Sequence, residues 1–580
     1  MILFTVYCVI FKSNRLLKGW GLFSQRTKLH SVDLGFNMNI NSHPPSGDTY
    51  LLALNLCRQG NLKDARKLCQ KKLSQEPRHA ATLHLAGLIS VRELKFKEAI
   101  KLFKKAIKSD GKVAQYYSSM AEALATTGDF VRAKSMFRRA VLLQPENVNF
   151  LYGLGTVNMQ MGAFTDAVAA LSRAIEFAPN EGEFHAQLGV ALQKDDVSGS
   201  ISAYDKAIEL GSNSAFVYYN LSTALSQNND YSRAIVALKE VIRLDPQHQR
   251  SYRNLGHIHL VCGDYHEAVS ALRRAIELAP EDSVASRDLG SALLGAGITE
   301  EAISVYEQLI KLDPVPTTES ISNMALAYLC AGKAEEALKL SDSGLEIVGN
   351  ETSCLAFKST ALNHLGRRNE AGVLLDFDRL IFQKQFNSIN GYNSTDEFNA
   401  KLSELIVKHP DFAQSKLNRG LKSGKSIPPT FLEGTLPTVL ETFHSMILSA
   451  ICDFKEATPV DPNHPFLSRH PNKTRIEWWG TQIQPHGYLD THFHPVGWLS
   501  GVYYPVLSEA FKAHSESQEG WIEFGREYYK IKSEDNPPVF TIKPDTGLMV
   551  LFPSYFGHRT LPFSIDDERM SVAFDVIPVE

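Results

Sequence analysis

A period of 34 residues runs through the first two-thirds of this 580-residue chain and limits its fold more than any other feature. Because one such unit can bury its apolar face only against its neighbours, the period indicates a stack of helix pairs. Small side chains recur 33 to 35 residues apart at Ala65, Ala99, Ala133, Ala167, Ser200, Ala234, Ala268, Ala302, Ala337 and Ala371. A second series of small residues runs through Gly87, Ala121, Gly155, Gly189, Ser222, Gly256 and Gly290.

One unit, residues 246–279, shows the physical basis of the pattern. Pro246 is expected to open the first helix, where its missing N–H costs nothing. Gly256 is expected to let the two helices of the pair approach closely. After a Gly-Asp break, the apolar residues of 265–276 fall on one helical face. The pattern predicts a solenoid of about ten helix pairs over residues 48–382.

This array resembles the tetratricopeptide repeat proteins along its whole length. The resemblance implies that the groove of the solenoid binds a peptide or another protein. It leaves the identity of that partner open, because this kind of binding is generic to the family.

Composition narrows the classes of partner and compartment. The formal net charge is −4 and no long basic run is present, so nucleic acid is not expected as a partner. No apolar run reaches the roughly 18–20 residues that cross a bilayer, so no membrane span is expected. The seven cysteines are scattered without a C-x-x-C pair, which favours a reducing compartment over a disulfide framework.

The N-terminal residues 1–47 are predicted to be a leader and linker without stable structure. Five basic residues lie between Lys12 and Lys28, and no acidic residue precedes Asp33. A basic, acid-free start of this kind leaves a mitochondrial targeting segment as the alternative to an unstructured leader. We expect a cytoplasmic location, with a mitochondrial one as the alternative, and leave the oligomeric state open.

The 34-residue rhythm stops near Gln383, and a second domain is predicted over residues 383–580. A loop at 387–394 is followed by expected helices at 395–408 and 439–454. The pattern then changes to short β-branched or aromatic segments, which suggest an all-β barrel or jelly roll with a core at about 470–580. The predicted strands are 475–484, 499–507, 520–524, 547–552 and 570–576.

The second domain carries histidines at a spacing that suits iron. His492 and His494 are separated by one residue, and His558 follows near a later strand. Two histidines and a carboxylate on one face usually hold Fe(II) in enzymes that activate oxygen. Arg569 could hold the far end of a dicarboxylate with its bidentate fork, and Ser571 would face the same way two residues later. The spacing therefore predicts a metal site beside a dicarboxylate site.

Around these residues the chain resembles the 2-oxoglutarate/iron(II)-dependent oxygenases, specifically the prolyl-hydroxylase-like group found with tetratricopeptide repeats. The matching motifs lie at 487–495, 498–504, 520–524, 551–554 and 569–574. The resemblance implies a double-stranded β-helix, Fe(II), and 2-oxoglutarate as a co-substrate whose decarboxylation is coupled to substrate oxidation. It further implies His492, His494 and His558 as metal ligands, and Arg569, Ser571 and Tyr504 as contacts of the co-substrate.

The resemblance contains one departure. Most of the wider superfamily has Asp or Glu at the position of His494. Three assignments stay open: His494 is a ligand, Asp490 supplies the carboxylate, or His494 supports the site from behind.

Two functions of another class also stay open. An adaptor would bind proteins through its repeats while its oxygenase-like domain has no catalytic role. A glycosyltransferase ranks lower, because no doubly wound α/β pattern follows residue 382.

Overall fold

The computed structural model describes residues 49–312, 317–348, 351–414, 421–434, 436–507, 517–527, 531, 537–564 and 569–579. The predicted leader and linker at 1–47 lie outside the described residues. Contacts divide the chain into two compact units, with the boundary between Ser251 and Tyr252. None of the helices in the described part of the chain combines the length and hydropathy that crossing a bilayer requires.

The first unit consists of consecutive helices in which each packs against the next. Small residues at the predicted positions are fully buried between paired helices, for example Ala65, Ala99 and Ala133. The helices are α1 (Thr49–Arg58), α2 (Leu62–Gln75), α3 (Ala80–Arg92), α4 (Phe96–Ser109), α5 (Ala114–Thr126), α6 (Phe130–Leu143), α7 (Val148–Gln160), α8 (Phe164–Phe177), α9 (Gly182–Leu192), α10 (Val197–Glu209), α11 (Ala215–Gln227) and α12 (Tyr231–Leu244).

The second unit continues the helical pattern before its strands begin. The first helix, α13 (Gln249–Cys262), crosses the boundary with its first three residues. The others are α14 (Tyr265–Leu278), α15 (Ser283–Gly295), α16 (Thr299–Leu312), α17 (Thr318–Cys330), α18 (Ala334–Val348), α19 (Thr352–His364), α20 (Arg368–Leu374) and the short α21 (Phe377–Leu380). In the described residues, α1 to α20 correspond to ten helix pairs. The all-α repeat array is thus confirmed.

The close approach predicted at Gly256 is present. A Cβ at this position would lie 2.5 Å from Cγ of Leu272 and 3.2 Å from the carbonyl oxygen of Ala268. No real Cβ makes the shorter contact, so the packing of α13 on α14 requires the absence of a side chain here.

The expectation that Pro246 opens a helix is wrong. The helix α13 begins at Gln249, and Pro246 lies in the turn before it. The Asp245 side chain accepts a hydrogen bond from the Gln247 N–H at 3.1 Å, and the Asp245 carbonyl accepts one from the His248 N–H at 3.1 Å. These two bonds form an Asp-Pro turn, which uses the fixed φ of proline before the helix starts.

Strands dominate the rest of the second unit. The two long helices between them are α22 (Thr395–Val407) and α23 (Thr438–Ala457). The strands are β1 (Phe382–Gln385), β2 (Ala413–Gln414), β3 (Leu421–Ser426), β4 (Thr430–Phe431), β5 (Thr474–His492), β6 (Leu499–Tyr503), β7 (Ile522–Phe524), β8 (Phe540–Ile542), β9 (Leu548–Pro553), β10 (His558–Thr560) and β11 (Arg569–Pro578).

All pairings among the described strands are antiparallel, in the order β1-β9-β6-β11-β5-β10-β7-β8, with β3 and β4 also on β5. The long strand β5 pairs with β11 through residues 474–483 and with β10 through residues 489–492. Between these halves His486 has φ of +62°, a left-handed conformation that redirects the strand. One strand thereby joins two groups of strands.

The two faces of β11 and β5 have different surroundings. On one face Phe443 of α23 packs against Trp478, Tyr503 and Phe574, which forms part of the apolar core. By strand alternation the other face of β11 carries Arg569, Ser571 and Asp575, with Ala573 between the last two. The sheet therefore presents a row of buried polar groups on the side away from α23.

All five predicted strands are present, although β5 extends eight residues beyond the predicted end at 484. Six short strands, β1, β2, β3, β4, β8 and β10, were not predicted. They contain two to six residues, too few for an alternating pattern to emerge from the sequence.

Candidate metal centre

Three histidines converge where the second half of β5 meets β10. One ring nitrogen from each of His492, His494 and His558 lies within 4.8 Å of the others. His492 ends β5 and His558 begins β10, and the two residues are direct partners across the antiparallel ladder. Side chains of such partners share one face of the sheet. His494 lies two residues beyond the strand, where its N–H is held by the Ser554 carbonyl at 2.9 Å.

Close backbone approaches position these ligand candidates. The Gly525 N–H donates to the Gly557 carbonyl at 2.9 Å, immediately before His558. A Cβ on Gly557 would lie 2.5 Å from the Arg526 carbonyl oxygen, so only glycine fits at this point. The ladder between β10 and β5 also shifts its register between His558 and Thr560. Such irregularities re-aim side chains locally.

Hydrogen bonds determine which ring nitrogen each histidine presents. Nδ1 of His492 lies 2.8 Å from the Asp490 carbonyl oxygen, and Nδ1 of His558 lies 3.0 Å from the Phe556 carbonyl oxygen. Nδ1 of His494 lies 2.7 and 2.8 Å from the two carboxylate oxygens of Asp575. Carbonyl and carboxylate oxygens only accept, so each Nδ1 carries the proton and each Nε2 keeps a lone pair.

Burial keeps the rings of His492 and His558 in the neutral state that binds metal. Burial, together with the neighbouring His494, lowers the pKa of His492 to about 3. Burial also lowers the pKa of His558 well below its usual value. Neutral imidazoles with free Nε2 lone pairs are ligands for iron and other first-row metals.

An orphaned atom supports the fit of a cation to this cluster. Nε2 of His494 is buried and has no hydrogen-bond partner among the described residues. A buried polar atom without a partner is costly, and a metal ion would supply one. The donor set of three imidazoles is therefore chemically suited to a metal.

The carboxylate of Asp490 is not part of this cluster in the described residues. Asp490 instead contributes its main-chain carbonyl, which orients His492. Of the assignments left open by the sequence, this geometry favours His494 over Asp490 in the metal-facing position.

A buried cation lies further along the same polar face. Arg569 begins β11, is 2% exposed, and donates from Nη1 to Oγ1 of Thr560 at 3.2 Å. Its guanidinium carbon lies 5.0 Å from the centre of the Tyr504 ring. Thr560 is two residues after His558 on β10, which corresponds to about 6.6 Å along a strand. The arginine is thus linked to the strand that carries a ligand candidate.

No described residue supplies a counter-charge to this cation. No carboxylate lies within ion-pair distance of Arg569 in the described parts of the chain, and its Nε is buried without a hydrogen-bond partner there. The Tyr504 hydroxyl is likewise buried and without a partner in those residues. Burial lowers the pKa of Arg569 and raises that of Tyr504. Ser571 is buried two residues along β11, on the same face as Arg569.

The last repeat forms a wall behind the histidines. Phe357 of α19 packs edge-on against Phe493, the residue between His492 and His494, with ring centres 5.5 Å apart. Oγ1 of Thr352, at the start of the same helix, donates to the Gly497 carbonyl at 2.7 Å. The repeat helix and the ligand segment are therefore parts of one packed unit.

The groups that support the histidines were not predicted from the sequence. Asp575 holds His494, and Oγ of Ser500 donates to Asp575 at 2.6 Å. Oγ of Ser554 lies 2.9 Å from that of Ser500. The sequence did contain one signal for Asp575. It lies an even number of residues from Arg569 and Ser571 along an apolar strand, so its side chain is expected on the same face as theirs.

This combination defines a repeat protein with a candidate metal centre in its antiparallel sheet. Residues 477–575 match the family model described as "Putative 2OG-Fe(II) oxygenase". Residues 118–182 and 258–315 match one tetratricopeptide repeat model, and residues 217–248 match another. The chain thus carries tetratricopeptide repeats and a domain of that oxygenase family at its C-terminal end.

Curated relatives match over limited stretches. The BBSome complex member BBS4 of Bos taurus is 35% identical over 97 residues, covering 17% of this chain and 19% of that protein. Protein O-mannosyl-transferase TMTC3 of Homo sapiens is 26% identical over 167 residues, covering 27% of this chain and 18% of that protein. The chain spans about a fifth of the length of the curated relatives it matches.

Solved structures of repeat proteins also match in part. YrrB, described as a TPR protein with an unusual peptide-binding site, is 22% identical and covers 32% of this chain and 95% of its own, with a TM-score of 0.30. MamA is 27% identical and covers 28% of this chain and 96% of its own, with a TM-score of 0.27.

Proposed function

We propose that this protein is an Fe(II)- and 2-oxoglutarate-dependent dioxygenase that hydroxylates a substrate, with the substrate or a partner protein bound by the repeats. The observation that carries the proposal is the convergence of three histidines, with one ring nitrogen of each within 4.8 Å of the others. A buried arginine without a counter-charge in the described residues lies on the same polar face. A metal ion held by the histidines would face one carboxylate of a bound dicarboxylate, and the arginine would face the other.

The antiparallel strands would form the double-stranded β-helix of such enzymes. In this reading β5 links its two sheets, since it pairs with β11 in one half and β10 in the other. His492, His494 and His558 would hold Fe(II). Fe(II) with 2-oxoglutarate and O2 would supply the oxidation, in which decarboxylation to succinate and CO2 accompanies hydroxylation of the substrate.

The remaining residues have binding and orienting roles in this proposal. The Arg569 guanidinium would pair with the far carboxylate of 2-oxoglutarate, because a planar fork suits a carboxylate in a buried site. Ser571 and the Tyr504 hydroxyl would donate to the same carboxylate. These contacts would satisfy Nε of Arg569 and the hydroxyl of Tyr504, both of which are buried without a hydrogen-bond partner in the described residues.

The repeats would provide the protein-binding surface. Phe357 on α19 packs against the segment that carries two of the three histidines. A protein held by the repeats of the second unit would therefore be attached to the same folded unit as the candidate metal centre.

The test is release of succinate by the purified full chain. We expect release that requires both iron and 2-oxoglutarate in the presence of substrate, with slow uncoupled release in its absence. His558→Ala should abolish both activities because it removes one of the three ligands. His444→Ala on α23 is the control, since this half-buried helical residue lies outside the histidine cluster.

The metal-free unfolding temperature of each variant shows whether it folds. Succinate release that persists in folded His558→Ala would refute the proposed site. A wild-type chain that binds neither metal nor 2-oxoglutarate would favour the non-catalytic adaptor.

A further inference from the structure

A buried carboxylate lies directly behind one of the three histidines. Asp575 is 1% exposed in the middle of β11, between Phe574 and Val576. Its two oxygens lie 2.7 and 2.8 Å from Nδ1 of His494, and one of them accepts from Oγ of Ser500 at 2.6 Å. Within the described ranges, no Lys or Arg side chain forms an ion pair with it.

Two unfavourable features lie on opposite sides of the His494 ring: a buried negative charge beside Nδ1, and a buried Nε2 without a hydrogen-bond partner in the described residues. A buried carboxylate without a cation is costly, because its hydration is lost and two hydrogen bonds replace it only in part. At the other end of the ring, Nε2 of His494 is buried and has no partner among the residues described. One divalent cation bound to Nε2 would remove both unfavourable features at once.

The supports of the other two histidines are neutral. His492 and His558 donate from Nδ1 to the main-chain carbonyls of Asp490 and Phe556. Among the described residues, only His494 donates to a side-chain carboxylate in this cluster. The negative charge beside the metal position is therefore concentrated behind His494, where the wider superfamily has a carboxylate as a direct ligand.

We infer that Asp575 is a positioning residue of the metal centre, which holds His494 as the Nδ1–H tautomer and supplies the site's negative charge from behind the ring. This inference rests on the proposed function, because it assumes that the three histidines bind a metal. In this arrangement the three histidines bind the metal, and the carboxylate of Asp575 acts on it indirectly through His494. Carboxylates behind metal-bound histidines orient the ring and raise its basicity.

A merely structural role predicts a different pattern of effects. If Asp575 only held the segment after β5 in place, Asp575→Asn would lower the stability of the metal-free protein. In the positioning role, the metal-free protein keeps its stability or gains some, because an uncompensated buried charge has been removed. The loss appears only in metal binding.

Titration of the metal-stripped full chain with Co(II) separates these cases. Its absorption spectrum reports on binding without turnover. We expect Asp575→Asn to bind Co(II) about 10- to 100-fold more weakly than wild type. Ser500→Ala, which removes one hydrogen bond to the carboxylate but not its charge, should show a smaller loss.

Glu523→Gln is the matched control. Glu523 is also a buried carboxylate in this sheet, but it accepts from Nε of Arg526 at 3.1 Å and from Nε of Arg559 at 2.7 Å. Its neutralisation should lower the unfolding temperature of the metal-free protein and leave the affinity for Co(II) unchanged.

A second readout follows the tautomer itself. In the metal-free wild type, the ¹⁵N chemical shifts of His494 should show a protonated Nδ1 and an unprotonated Nε2. In Asp575→Asn this tautomer should lose its dominance, because an amide can also donate to Nδ1.

The outcomes distinguish the two proposals. Equal Co(II) affinity of wild type and Asp575→Asn, or a metal-free destabilisation that accounts for the whole loss, overturns the role of Asp575 and leaves the proposed function standing. Failure of the wild type to bind Co(II) or Fe(II) overturns both.

Discussion

Replacement of Arg569 by methionine tests whether this residue binds the far carboxylate of 2-oxoglutarate. The guanidinium is 2% exposed, and its described contacts are the Thr560 hydroxyl and the ring of Tyr504. Arginines buried for structural reasons normally pair with a carboxylate, and removal of one partner of such a pair costs about 3–5 kcal/mol. Arg569 lacks that partner in the described residues, so a ligand must supply it if the proposal is correct.

The effect of this replacement on the stability of the ligand-free protein follows from the contacts of Arg569. Arg569→Met removes a buried charge that has no counter-charge among the described residues, a relief of about 3–5 kcal/mol. It also removes one hydrogen bond to a charged group, about 1.5–3 kcal/mol, and one desolvated cation–π contact, about 2 kcal/mol. These terms nearly cancel, so the free energy of unfolding of the ligand-free variant should stay close to that of wild type.

Binding of 2-oxoglutarate should respond very differently. Removal of one partner of a buried, hydrogen-bonded charge pair costs about 2–5 kcal/mol, which corresponds to at least about a 30-fold loss of affinity. Calorimetric titration of 2-oxoglutarate into the Co(II)-loaded full chain measures this loss, and chemical denaturation of the ligand-free chain measures stability.

Arg559→Met is the matched control for this experiment. Arg559 follows His558 on β10 but points to the other face, where its Nε donates to Glu523 at 2.7 Å. Its loss should reduce stability and preserve affinity for 2-oxoglutarate. The reasoning is refuted if Arg569→Met is destabilised by several kcal/mol, as expected for a paired arginine, while it binds 2-oxoglutarate as wild type does.

Two further predictions concern the repeats. Gly256→Ala should destabilise the protein by about 1–3 kcal/mol, because the added methyl group overpacks the helix pair. Gly372→Ala should stabilise α20 by about 0.5–1 kcal/mol, because an added Cβ there meets nothing within 4 Å. Chemical denaturation measures both changes in the free energy of unfolding, and equal effects of the two variants would contradict the packing argument. Burial lowers the pKa of His84 to about 4 from 6.5, so the first unit should keep its full stability above pH 6.5 and lose up to about 3 kcal/mol as the pH falls to about 4. His84→Leu should flatten this dependence in thermal unfolding measured across that range, and a slope unchanged by the variant would assign it to other groups.

The helical array could be predicted in detail because its information is local and repeated. Each unit specifies its own helices, and residues such as Ala268 and Leu272 mark the buried face through their spacing alone. Pro246 was misplaced because the Asp245 side chain competes for the local turn, and a side-chain hydrogen bond of this kind leaves little trace in a periodic pattern.

The candidate site was predicted in part. The spacing of His492, His494 and His558 is visible in the sequence, and so is the position of Arg569. The short strand β10, which sets His558 opposite His492, was not predicted, because three residues carry no period of their own. Its pairing depends on neighbours that are distant along the chain.

The sequence by itself determined the repeat array, the strand-rich region after it, and the chemical types that can bind a metal and a dicarboxylate. Only the tertiary structure decided which nitrogen each histidine presents, that Asp490 acts through its main chain, and that Asp575 lies behind His494. The physical reason is that periodicity records which face of an element is buried. Hydrogen bonds between distant residues depend on how strands meet, and Asp575 is 81 residues from the histidine that it orients.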